Sequence, residues 1–272
     1  MSDPNAQSLF RLRVRYRKTG RLAYLGHLEV IHTIERIVRR AGLPYAVTQG
    51  FSPHMRVGFS SALPVGTSST CEWYDLFLTD LIPAPEAFER LLAASPADLA
   101  PDLAAYIDVK APALTAQITR CEYRVMLHMA ASYESRGEAI AGIIDTLLSE
   151  GPIEYQRGRK FKKLDLAGVI ASFDVAREDA KTMVLTLDTR VSNEGALRPE
   201  ILLAALDRRL VGGPFASEPI VSTGIQDLIS IERYDVCRIS QHIEDENATL
   251  RPVLEVFDVP SRPVAATHVP SL

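Results

Sequence analysis

The sequence predicts an α+β protein made of two ferredoxin-like βαββαβ-type units in tandem, followed by a mobile C-terminal tail. Three observations carry that expectation. At 272 residues the chain exceeds the usual size of one domain, so two modest domains are expected. Its apolar periodicity switches between strand and helix spacing in the order strand, helix, strand, strand, helix, strand, and a similar order returns in the second half. Past Ser240, Pro252, Pro260, Pro263 and Pro270 stand among scattered acids, which suggests a mobile tail. The expected divisions are a disordered N-terminus at 1–8, a ferredoxin-like domain at 9–112, an α+β domain at 113–240 and a flexible tail at 241–272.

Residues 9–17 alternate apolar and basic from Phe10 on, which predicts a half-buried strand with Arg11, Arg13, Arg15 and Arg17 on its wet face. From Gly26 to Ala41, Leu28, Ile31, Ile34, Val38 and Ala41 recur at three and four, an amphipathic helix ended by Gly42 and Pro44. A stretch punctuated by Gly50 and Pro53 leads into a strand at 57–61. A strand at 71–79, a helix at 85–94 opened by its proline and a strand at 103–110 complete the first unit. In the second half, strands are expected at 121–130, near Ile153, at 169–175, 182–189 and 228–238, with helices at 136–149 and 199–209. The basic segment 156–163 reads as a loop.

The formal net charge is −4, but its distribution is lopsided. Residues 9–60 hold ten Arg and Lys against Glu29 and Glu35, and residues 156–163 add Arg157, Arg159, Lys160, Lys162 and Lys163 with no acid. Such asymmetry points to an anionic partner at one face, and the basic groups should form one continuous positive surface. Cys71, Cys121 and Cys237 are odd in number, far apart and set in apolar stretches, which suits buried reduced thiols. The start of the chain lacks a basic region followed by an apolar one, and no apolar run nears the ~20 residues of a membrane helix, so a cytoplasmic protein is expected.

Candidate site residues follow from local chemistry. His27 stands in the first turn of the basic helix, where free N–H groups favour an anion, and Lys18 and Arg21 are placed to reach the same spot. The outer helix face carries His32, Arg36, Arg39 and Arg40. Gln49 through Arg56 is the densest cluster of special residues, with glycine and proline fixing a backbone that presents His54 and Arg56 together. Arg159, Lys160 and Lys162 flank Phe161, an aromatic available to stack on a base, and Arg198 precedes Pro199 at a helix start. The expected anion- or RNA-binding set is therefore Lys18, Arg21, His27, Arg36, Arg40, Gln49, His54, Arg56, Arg159, Lys160, Lys162 and Arg198. His27 and His54 also make a candidate acid–base pair. A metal site using them would need Glu29, Glu72 or Asp75 at no recognised ligand spacing, so neither a metal nor a cofactor is expected.

The strings Lys18-Thr19-Gly20-Arg21, Gly26-His27-Leu28-Glu29, Arg39-Arg40-Ala41-Gly42-Leu43-Pro44, Gln49-Gly50-Phe51-Ser52-Pro53-His54 and Ala62-Leu63-Pro64-Val65-Gly66 resemble the radical-SAM-linked family of unknown function. The likeness continues more weakly through Lys160–Asp165 and Leu197-Arg198-Pro199. Gly26, Glu29, Ser52 and Met55 depart from the family's usual Ser-His-Leu-Asp and Phe-Asn-Pro-His-Pro, leaving both histidines in place. The resemblance implies a partner, a cobalamin-binding radical-SAM protein encoded beside or fused to such chains. A radical-SAM cluster needs three closely spaced cysteines, which this chain lacks. The leading expectation is a non-catalytic companion that presents an anionic substrate, RNA or an RNA–protein assembly. The alternative is a metal-independent RNA-processing enzyme using His27 and His54, which rests on fold analogy.

Overall fold

The alternation of Leu12, Val14 and Tyr16 with Arg11, Arg13 and Arg15 builds a two-faced strand, β1 (Phe10–Lys18), in a computed structural model that describes residues 8–192, 196–213 and 219–255. The apolar face packs, with Tyr74, Leu76 and Leu78, against Val30, Ile34, Ile37 and Val38 of α1 (His27–Arg40) and Ala87 and Leu91 of α2 (Ala84–Ala94). The helix is present as its periodicity predicts, but its buried stripe is rotated, and Leu28 is 69% exposed. Glu29 accepts a 2.7 Å hydrogen bond from the Gly26 N–H at the helix start, and Gly42, at φ +62°, ends it.

The arginine face of β1 is not wet. Arg11 and Arg13 are 5% and 2% exposed, and both give Nε and Nη2 to the buried Asp75 carboxylate at 2.6–3.1 Å. Arg11 also donates to the carbonyls of Ala111 and Pro112, and Arg13 to Gln117 Oε1 at 2.8 Å and the Val253 carbonyl at 2.9 Å. The reason is coverage: the linker after residue 110 and the segment at 253–254 lie across this face, and their carbonyls need donors. Alternation alone cannot say what covers the polar side of a strand. Among the described residues Arg15 keeps a partly exposed ion pair, at 2.7 Å to Asp102. Arg11 and Arg13 thus add nothing to a continuous positive surface.

One sheet runs through the molecule. Its path is β4 (Pro101–Ile107), β1, β3 (Thr67–Leu78), β11 (Ile231–Glu244), β5 (Arg120–Met129), β9 (Thr182–Arg190) and β8 (Ile170–Arg177); β2 (Val57–Phe59) joins β3, and β12 (Leu250–Pro252) joins β11. Within each half, neighbouring strands are antiparallel, in the orders β4-β1-β3-β2 and β11-β5-β9-β8. The halves meet in a short parallel pairing of Thr67–Ser69 with Val236–Arg238. The chain is therefore mixed α+β, and the two expected domains share this sheet.

The second core lies between that sheet and two helices, α4 (Ile140–Glu150) and α6 (Pro199–Val211). Tyr123, Val125, Leu127, Leu185 and Leu187 meet Ile140, Ile144, Ile201, Leu202 and Leu206 there. Short helices α3 (Leu114–Gln117) and α5 (Leu166–Val169) fill its margins. The expected basic loop is a hairpin, β6 (Ile153–Arg157) and β7 (Lys160–Leu164), with β10 (Ile220–Val221) parallel to β6. Gly158, at φ +60°, makes the two-residue turn, and the lysines after it are strand residues because Leu164 anchors their end in the core.

Residues 241–255, expected in a flexible tail, extend β11, form β12 and bury Val253 and Leu254. The apolar pair Val253-Leu254 was too short to stand out among the prolines. The rest of the expected tail, and the expected disordered residues 1–7, lie outside the described residues. Cys71 and Cys121 are buried and Cys237 half-buried, all as free thiols. No helix among the described residues is long and apolar enough to cross a membrane.

Candidate functional site

The parallel seam brings three buried charges together. Lys18, Glu72 and Arg238 are 2%, 4% and 1% exposed. Arg238 Nε lies 3.2 Å from Glu72 Oε1, while its Nη1 and Nη2 donate to the Ser61 hydroxyl at 2.9 Å and the Ser61 carbonyl at 3.0 Å. Gln241 Nε2 donates to Cys71 O at 2.7 Å and to Glu72 Oε1 at 3.3 Å. Lys18 Nζ donates to the carbonyls of Ala23 at 2.7 Å and Thr67 at 3.3 Å. Two cations against one carboxylate leave a positive excess, and burial lowers the Lys18 ammonium to about 8 against the opposing pull of Glu72.

His27 stands at the mouth of this cluster. Its ring meets Phe59 edge-on at 5.8 Å between centroids, and burial lowers its pKa, with Glu72 opposing and Lys18 reinforcing the shift. Tyr16, Lys18, His27, Ser60, Ser61 and Glu72 line a small cavity whose free space, ≈ 10 Å³, is that of one water molecule. Among the described residues, no three His, Cys, Asp or Glu side chains gather as metal ligands.

On the outer side of Ser61, Ala62 and Pro64 the surface opens into a groove of ≈ 660 Å³. Its other walls come from separate elements: Tyr155, Arg157, Lys162 and Lys163 of the hairpin, Arg190 at the end of β9, and Leu197 and Arg198 leading into α6. Arg198 is tied to Glu200 at 2.7 Å, with its guanidinium 6.0 Å from the Tyr155 ring centre. Lys163 meets Glu154 at 3.0 Å. Arg157, Lys162 and Arg190 have no acidic partner among the described residues. Of the two acids on the groove, Asp165 and Glu244, the second is held by Arg120 at 2.9 Å. Three cations without an ion-pair partner therefore converge, with Asp165 among them, on a concavity of ligand size.

Of the residues expected from sequence, Lys162 and Arg198 line this groove, whereas Lys18 and His27 line the inner cavity behind its Ser61–Ala62 wall. Arg159 and Lys160 are exposed at the hairpin turn. Phe161, on the opposite strand face from Lys162, borders a different hollow with Leu147 and Pro219. Arg21, Arg36 and Arg40 are exposed on or just before α1. Gln49, His54 and Arg56 sit on the 48–56 loop, closed by a bridge between Val47 and Met55 and by a 3.0 Å bond from the His54 N–H to Thr48 Oγ1. Arg56 packs 4.3 Å from the Phe77 ring centre, and His54 does not line the His27 cavity.

Sequence reasoning missed Ser61, Ala62, Tyr155 and Arg190, and read Arg157 and Lys163 only as part of a charge run. Tyr155 pairs in register with Lys162, a pattern open to a hairpin reading of Glu154 to Lys163. Arg190 carries no such signal; the sheet alone brings it there.

Fold and site together define an α+β protein with a mixed sheet running through both halves, a smaller three-stranded sheet beside it, and a basic groove where the halves meet. The chain belongs to the family described as "Uncharacterized protein conserved in bacteria (DUF2344)", whose model matches residues 11–199. No curated protein matches the sequence. Similar solved structures include a Cbf5–Nop10–Gar1 complex, at 10% identity and TM-score 0.43, covering 86% of this chain and 50% of that one. A second, an H/ACA ribonucleoprotein bound to a substrate RNA containing 2′-deoxyuridine, has 11% identity and TM-score 0.39, covering 88% of this chain and 50% of the other. The chain thus spans about half the length of each.

Proposed function

We propose that this protein binds RNA, holding the phosphate backbone in the groove between its halves, and acts as a non-catalytic companion that presents the RNA to a partner enzyme. The observation that carries the proposal is the convergence of unpaired Arg157, Lys162 and Arg190 on one concavity from different elements. Cations without an ion-pair partner keep more of their attraction for phosphate than cations already held in surface ion pairs. In the same reading, the strand orders β4-β1-β3-β2 and β11-β5-β9-β8 are two ferredoxin-like units fused edge to edge, with the groove as a consequence of the fusion. The partnership with a cobalamin-binding radical-SAM protein belongs to the proposal on the sequence resemblance alone, and a cytoplasmic location belongs to it on the sequence reading of the chain's start and apolar runs.

The acid–base alternative draws less support. The His27 cavity has room for one water, not a phosphate, and His54 belongs to another loop. Two assays separate the readings. Fluorescence anisotropy with a single-stranded RNA of about 10 nucleotides, a common site size, should show binding that Arg190→Ala weakens. Incubation of the same RNA with the protein alone should leave it intact. Cleavage abolished by His27→Ala would replace the binding reading with the catalytic one.

A further inference from the structure

The wall shared by the inner cavity and the groove is a single turn of chain, Ser61-Ala62, and one buried side chain fixes its orientation. Arg238 holds both the hydroxyl and the carbonyl of Ser61 from the interior, at 2.9 and 3.0 Å. All peptide bonds among the described residues are trans. In a trans peptide the carbonyl of one residue and the N–H of the next point in opposite directions. With the Ser61 carbonyl turned in toward Arg238, the Ala62 N–H is turned away from it, on a residue that is exposed and lines the groove. That N–H has no acceptor among the described residues. Behind it, Lys18 and Arg238 outnumber Glu72, whose carboxylate is engaged by Arg238 and Gln241 on the inner side. Across the groove stand Lys162 and Arg190.

We infer that the Ala62 backbone N–H, aimed by Arg238, is a donor to a phosphate oxygen of the RNA in this groove. The inference rests on the RNA-binding reading and adds to it a neutral, directional contact that no charge pattern reveals. Oriented backbone N–H groups backed by positive potential are a recurring way to hold anions, and a buried guanidinium is suited to set such a peptide because its fork fixes two acceptors at once. Arg238 is in this account a positioning residue. It touches the wall, not the ligand.

The test uses the full chain, a fluorescent ten-nucleotide RNA of the size used above, and the variants Ala62→Pro, which deletes one N–H, and Ala62→Gly, which keeps it. Ala62→Pro should weaken binding by roughly tenfold or more, the worth of a hydrogen bond to a charged group, while Ala62→Gly binds as wild type. The slope of log K against log salt should stay the same in Ala62→Pro, because no cation and no released counterion is lost. Unchanged affinity in Ala62→Pro would overturn the inference, as would a fall in its salt slope. A second measurement does not depend on that variant folding: the Ala62 amide resonance of the wild type should move downfield on adding the RNA, and also on adding inorganic phosphate. An immobile Ala62 amide while the Lys162 amide responds would overturn the inference with RNA binding intact. If the wild type binds no RNA, the groove reading fails, and the phosphate titration alone then decides whether Ala62 is an anion donor.

Discussion

Replacing Asp75 by alanine measures whether β1 is buried on both faces. Asp75 is 1% exposed and accepts four hydrogen bonds from Arg11 and Arg13 at 2.6–3.1 Å. Deleting it strands two guanidinium groups in the interior, with only carbonyls and the Gln117 amide left to them. Breaking one buried pair from one side costs about 3–5 kcal/mol, because the remaining charge is uncompensated. For a chain of this size, with an unfolding entropy of about 2.1 cal/mol/K per residue, that corresponds to a fall in Tm of roughly 5–9 °C. The control lies on the same strand: Arg15 and Asp102, at 38% and 30% side-chain exposure, form a solvent-screened pair. Asp102→Ala should cost at most about 1 kcal/mol. Urea unfolding followed by circular dichroism gives both values. Equal costs for the two variants would refute the burial of the arginine face and restore the wet strand that alternation predicts.

Other outcomes follow from the same structure. The Lys18 ammonium, lowered from 10.5 to about 8, is charged in both states below that range; between the two values only the unfolded chain keeps its proton. Stability should therefore rise with pH across that window, and the rise should be smaller in Lys18→Met, as pH-dependent unfolding can show. Burial pushes the Cys71 thiol up to about 12 and also raises Cys121, so iodoacetamide at pH 8 should leave both unmodified in the native protein and label them in urea. His27→Ala should leave RNA affinity within about twofold, since its cavity lies behind the groove wall and uncharged changes there leave the phosphate contacts in place; a tenfold loss would place His27 on the ligand.

What the sequence made legible was local. The alternation in Phe10–Lys18 and the helical stripe of His27–Arg40 fixed element types nearly to the residue, because period and capping are properties of neighbours in the chain. What covers a face is set by distant residues. Arg11 and Arg13 look solvated until Asp75, the linker carbonyls and Val253 are placed against them. The hairpin at 153–164 was hidden because its residues 160–163 are exposed, so no apolar alternation marks them as a strand. The candidate site was legible only as excess charge. Lys162 and Arg198 stood in that excess, but the groove itself depends on the β3–β11 seam, a pairing across more than half the chain. Ala62, with no polar side chain, gives no chemical signal at all.

The central claim, that RNA phosphate is held in the groove, is tested most directly by the salt dependence of RNA affinity in the wild type and in the triple variant Arg157→Ala, Lys162→Ala, Arg190→Ala. Three unpaired cations on single-stranded RNA predict a slope of log K against log salt of about −2 from these residues. The triple variant should lose that part of the slope and most of the affinity while keeping its thermal stability, since all three side chains lie on the groove surface. RNA binding of equal strength and equal salt slope in the two proteins would contradict the account.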